Sequence, residues 1–175
     1  MVDPTNFWQY SQSLYNQKVV ASTCLSLQES HDLDVNLILF CCWYARNFGV
    51  ISEALLADSL KYSKSWRRNV VLPIRSTRIW MKSHLENTEN SDYLIVKALR
   101  ERIKFDELTA EKIQQEYLAE IASNYLATNE IALEKTEKSE QQNAAITNIR
   151  QLLSTLSIEF DSNIEVSIKR IVDSF

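Results

Sequence analysis

The sequence predicts an all-α fold, a helical bundle of about six or seven helices around one central apolar helix over residues 34–47. Three observations carry this. The 175 residues include one Gly and two Pro, too few for the turns of an all-β protein or for phosphate-cradling loops. Leu37 to Tyr44 reads LILFCCWY, apolar on every face, and such a helix belongs in the middle of a bundle rather than on its surface. The remainder places apolar residues at helical spacing, and the chain is long enough to bury a proper core.

The elements follow in order. Asp3-Pro4 has the form of an N-cap followed by proline in the first helical turn. Phe7, Tyr10 and Leu14 continue at helical spacing; Phe7 and Trp8 lid the core or leave Trp8 to a partner. A break falls near Asn16-Gln17, and Lys18 to Glu29 forms a second helix. His31-Asp32-Leu33-Asp34 is a loop ending in the N-cap of the central helix. Gly49, the only glycine, stands where a left-handed C′ residue is needed. Ser52-Glu53 opens a helix running toward His84, which Pro73 must break or kink. Ser91 or Asp92 caps a helix through Ile103, and Thr109 begins another through Tyr125. Thr128 to Asn143 is polar and extends into solvent or frays. Ala145 to Ile158 has an amphipathic stripe, and Asp161-Ser162 caps a last helix to Phe175.

This reading divides the chain into a helical core domain, 1–126, and an acidic helical extension, 127–175, packed on the core or on a second copy. Removing residues 128–175 is expected to leave a folded but less soluble core. Met1 to Asn6 has neither the basic nor the apolar part of a leader, and no apolar run is long enough to span a membrane. The expected location is cytoplasmic, without membrane attachment. Cys24, Cys41 and Cys42 have no zinc spacing and no even count; they read as buried, inert thiols.

The formal net charge is −4, and it is unevenly placed: residues 1–45 and 105–175 are acidic, 46–104 basic. Between Lys61 and Lys82 there are seven Lys or Arg and no acid. At 100° per residue, Lys61, Lys64, Arg68, Arg75, Arg78 and Lys82 fall within a stripe about 100° wide, with Arg67 beside it. Tyr62, Trp66, Val70, Pro73, Thr77 and Trp80 fall opposite and are expected to face the core. Aligned bases repel unless an anion answers them, and arginines suit carboxylate or phosphate through bidentate bonds. A kink at Pro73 would split the stripe.

Other chemistry is poorly supported. His31 and His84 are far apart, and no metal or cofactor motif occurs; a ligand set from His31, Asp32 and Asp34 is weaker than a plain capped loop. No nucleophile elbow, P-loop or dinucleotide fingerprint is present. Glu107, Glu111, Glu120 and Glu134 read as a solvated helix face.

The stretches FWQYSQSLY (7–15), CLSLQESHDLDVNLILFCCWYA (24–45) and WRRNVVLPIRSTR (66–78) resemble a family of small proteobacterial proteins of unknown function. The motifs FW, CLxLQ, DVNLxLFxxW and WRxxVVxPxR occur in the family's order, and the likeness spans about the first 120 residues. Ile74 stands where the family more often has Leu. The resemblance implies a bacterial cytosolic origin and brings no activity, ligand or catalytic residue. The residues themselves lead to a non-catalytic regulatory or adaptor module, with the kinked helix 61–82 binding an acidic protein surface. One alternative is an enzyme or ligand binder with a pocket between helices, taking an anionic group on Arg67, Arg75 or Arg78. Another, ranked lower because of the net acidity, is nucleic-acid binding. A homo-oligomer through the C-terminal helices is a further possibility.

Overall fold

The computed structural model describes residues 6–86, 93–129 and 137–174. The elements are α1 (Phe7–Tyr15), α2 (Lys18–His31), α3 (Val35–Phe48), α4 (Glu53–Trp66), a π-helical turn (Arg67–Val71), α5 (Leu72–Glu86), α6 (Tyr93–Thr128), α7 (Lys138–Thr155) and α8 (Ser162–Val172). The described residues contain no strand. The protein is an all-α bundle.

The central helix forms as its sequence dictates. The Asp34 carboxylate accepts from the Asn36 amide at 3.0 Å and caps the first turn. Gly49 ends the helix at φ 83, a conformation that side chains resist. Every residue from Asn36 to Ala45 is buried. Phe7 reaches in from α1 and packs on Phe40 and Trp43, with ring centroids 5.8 and 5.2 Å apart. The caps at Ser52 and Asp161 also form, on the amides of Leu55 and Ile164. Asp3-Pro4 and Ser91-Asp92 lie outside the described residues; the cap on α1 is Asn6, which accepts from Gln9.

The C-terminal helices share this core. α7 lies along α3, and α8 packs on α2 and α7. Ala145, Ile149, Leu152, Leu153, Ile164, Ile168 and Ile171 join the same apolar cluster as α3. Asn148, fully buried, fixes the contact. Its amide donates to the Cys41 and Gly49 carbonyls at 3.2 and 3.1 Å, and its oxygen accepts from the Ile51 amide at 2.8 Å. Helix α7 begins at Lys138, earlier than the expected Ala145, because Glu137 and Glu140 form a capping box.

Two expectations are corrected. Of the break or kink expected at Pro73, the break does not occur: α4, the π turn and α5 follow without interruption. A proline lacks an N–H and clashes with the carbonyl four residues back. The turn just before it is widened instead, with the Leu72 amide bonding Arg67 five residues back. Nor does Thr109 start a helix. It lies inside α6, its hydroxyl bonded to the Phe105 carbonyl at 2.9 Å.

Candidate functional site

The π turn decides where the basic residues point. One widened turn rotates everything after it by roughly a quarter turn relative to an uninterrupted α-helix. Upstream, Lys61 and Lys64 face solvent, as does Arg68 within the turn. Arg67 pairs with Asp32, whose carboxyl is held below its usual range, chiefly by that hydrogen bond. Downstream, Arg75 and Arg78 are not on an exposed face. Both turn toward α6. Lys82 lies further along α5 and is exposed. The expected stripe is therefore divided. The apolar side follows: Tyr62, Trp66 and Val70 are half-buried, while Pro73 and Thr77 are exposed and Trp80 is 63% exposed.

The α6 partners are acids that the sequence reading left in solvent. Arg75 Nε donates to Glu107 at 2.7 Å, and its terminal nitrogen donates to Glu111 at 2.5 Å. Arg78 grips both Glu107 oxygens. Glu107 is 6% exposed. Burial alone would push its carboxyl up; the hydrogen bonds from Arg78 and Arg75, with their charges, outweigh burial and hold it below the usual range. For Glu111 burial wins over the Arg75 charge, aided by Glu107 and Asp34, and its carboxyl is pushed up. Glu120 is exposed, as expected; Glu134 lies outside the described residues.

This charged quartet forms one side of a cleft of about 470 Å³. Five helices build it. α1 contributes Trp8, Ser11, Gln12 and Tyr15; α2 contributes Leu25, Gln28 and Glu29; α3 contributes Val35, Asn36 and Leu39. Arg75, Arg78 and Ile79 come from α5, and Glu107, Leu108, Glu111 and Gln115 from α6. Beneath it, a relay of amides and hydroxyls crosses the bundle. Ser11 donates to Gln115 at 2.5 Å, Gln115 to Asn36 at 2.7 Å, and Asn36 to Gln114 at 2.8 Å. Gln114 donates to Asp34 and Ser63 at 2.7 and 2.9 Å, and Ser63 to Asp34 at 2.5 Å. Each buried polar group here has a partner, as burial requires. The Tyr15 phenol on the same cleft is pushed up by burial first, then by Cys24 and Glu111, against the pull of Arg75.

The remaining candidates lie elsewhere. Among the described residues, no group of three or more His, Cys, Asp or Glu is placed to hold a metal. Asp32 and Asp34 are engaged with Arg67 and with the cap and relay. The three thiols are buried, and burial pushes each up, Cys24 to about 12. Among the described residues, no helix is long and apolar enough to cross a membrane.

The composition-based reading missed Glu107 and Glu111. A signal was present: acids four apart on one helix can meet bases three apart on the helix before it, once the two are paired as neighbours. No curated protein and no solved structure matches the chain. Residues 6–118, which contain every residue of the cleft, match the family model DUF2390, described as a protein of unknown function; the chain belongs to that family.

Proposed function

We propose that the protein binds a small molecule in the cleft between α1, α2, α3, α5 and α6. The observation that carries this is the convergence there of Arg75, Arg78, Glu107, Glu111, Asn36 and Gln115 beneath a rim of Trp8, Leu25, Ile79 and Leu108. Ligand sites combine apolar walls with a few fixed polar groups, and a carboxyl with a raised pKa marks a functional candidate. Both arginines are already matched by glutamates. A strongly anionic ligand would have to displace those acids. The site suits an uncharged or singly charged molecule with an apolar body and a polar edge that donates and accepts. Glu111, whose carboxyl takes a proton more readily than usual, supplies either a donor or an acceptor.

The test is a thermal-shift screen of neutral, cationic and anionic metabolites against the wild type and Gln12→Trp, which places a ring across the mouth from an exposed position. A ligand at a hundredfold excess over its Kd should raise Tm by about 5–10 °C, and Gln12→Trp should remove the rise. No shift in any class, or shifts that Gln12→Trp leaves intact, would sink the reading.

A second reading is favoured by the exposure of Lys61 and Lys64 before the π turn and of Arg68 within it. This shorter cluster supports docking to an acidic protein surface, ahead of nucleic acid given the net charge of −4.

A further inference from the structure

The first half of α6 carries an exposed stripe that is apolar except at Glu101. Leu94, Ala98, Glu101, Phe105 and Leu108 are spaced four, three, four and three residues apart. On a helix that spacing holds them within about 80° of arc. Leu94 is 73% exposed and Phe105 68%, with Ile95 at 71% on the flank. Glu107 lies on another side of α6 and faces α5. The alternation of three and four is the seam by which one helix packs along another, and large exposed apolar residues in a row mark an interaction surface.

The flanks select the occupant. The positions bordering such a seam choose the partner by charge. Here they are Lys97 and Lys104 on one side and Arg102 on the other. Glu101, within the seam, is already held by Arg100 at 3.0 Å and Lys104 at 4.0 Å. A shallow groove of about 450 Å³ runs alongside, lined in part by Arg78, Lys104, Phe105 and Leu108. The acids lining it are engaged, Glu107 with Arg75 and Arg78, and Glu111 with Arg75. A second copy would set Lys97 against the other copy's Arg102 if the helices ran parallel, and against its Lys104 if they ran antiparallel. A helix with acidic borders removes that repulsion.

We propose that the Leu94–Leu108 face of α6 docks an amphipathic helix of another protein, with an apolar stripe bordered by Glu or Asp. This surface meets the cleft at Leu108, which lines both; its outer part, from Leu94 to Phe105, is not among the residues that line the cleft.

The test uses the full chain and fluorescently labelled synthetic helical peptides sharing one leucine stripe, bordered by glutamate or by lysine. The glutamate peptide should bind at least tenfold more tightly than the lysine peptide, and added salt should weaken it. Phe105→Glu should reduce that binding at least tenfold with Tm and helicity unchanged, because Phe105 is exposed. Reversing the border with Lys97→Glu, Arg102→Glu and Lys104→Glu together should switch the preference to the lysine peptide. Equal binding of the two peptides, or a preference that survives the reversal, overturns the proposal. So does a concentration-dependent dimer that Phe105→Glu dissociates, since the occupant is then a second copy. Tighter binding of duplex DNA or of anionic vesicles through the same bases overturns it too.

Discussion

Helices α3 and α6 cross the same bundle and are built on opposite terms. In α3 the buried side chains are almost all apolar, from Leu37 to Ala45, with Asn36 the exception. In α6 the buried positions include Glu107, Gln114 and Gln115, while Leu94, Ile95 and Phe105 are exposed. The first helix obeys the rule that apolar side chains go inside; the second departs from it between Leu94 and Gln115 and returns to it from Leu118 to Ala122. Burial of apolar area rewards α3 wherever it lies in the core. Burial of the α6 polar groups is tolerated only because partners from α1, α3, α4 and α5 meet each of them. The places where a chain departs from its own hydrophobic pattern are where function is to be sought.

The sharpest way to break the comparison is to take away what covers α3. Ending the chain before Glu137 removes α7 and α8, takes Ala145, Ile149, Leu152, Leu153, Ile164, Ile168 and Ile171 out of the apolar cluster, and leaves the Ile51 amide and the Gly49 carbonyl without Asn148. Because α7 and α8 share the core of α3, the truncated chain should lose its cooperative thermal transition rather than leave the folded, less soluble core expected from the sequence. A folded product with a Tm near that of the full chain would mean that α3 is covered by α1, α2, α4 and α6 alone.

A smaller effect is expected from the α6 relay. Gln114→Leu keeps much of the volume and removes the link between Asn36, Asp34 and Ser63. Leaving buried polar groups unmatched costs about 1–3 kcal/mol, read as a shift in the denaturant midpoint. If Gln114→Leu is neutral, the relay is not what lets α6 bury polar groups, and the contrast with α3 loses its physical basis.

Much of α3 was legible in the sequence because its signal is local. Asp34, the LILFCCWY run and Gly49 lie within one stretch, and each acts on its own neighbours. The cleft was not legible in the same way, because its parts are joined only by the fold. Ser11 meets Gln115, and Asn36 meets Gln114, pairs that no periodicity connects. The basic stripe between Lys61 and Lys82 was visible as composition, yet its direction depended on the widened turn before Pro73. A proline announces a disturbance but not whether the chain bends, breaks or widens by one residue. The outer stripe of α6 was obscured for a related reason: ending the first helix at Ile103 left Phe105 and Leu108 between two helices instead of within one.

The finest distinction lies within the quartet itself, where two glutamates of one helix have carboxyls moved in opposite directions. Glu107 is held low by Arg78 and Arg75 against its burial, so its ionised form stabilises the folded state. That contribution is present above the carboxyl's unfolded pKa and is lost as pH falls through its folded pKa. Glu111 is pushed up by burial despite Arg75, so its ionised form costs the folded state stability above its folded pKa, and the cost disappears as pH falls below its unfolded value. Glu107→Gln should therefore lower stability at neutral pH, by about 1.5–3 kcal/mol for a hydrogen bond to a charged group lost, with the deficit closing under acid conditions. Glu111→Gln should have a smaller effect of the opposite sign: a gain at neutral pH that shrinks toward zero as the wild-type carboxyl takes up its proton. Denaturant midpoints for the wild type and both variants, measured from neutral pH into the carboxylate range, would separate the two. Curves that run parallel to the wild type at every pH would show that neither carboxyl titrates differently in the folded state, and a loss of equal size in both variants would reduce the quartet to a symmetric pair of ion pairs.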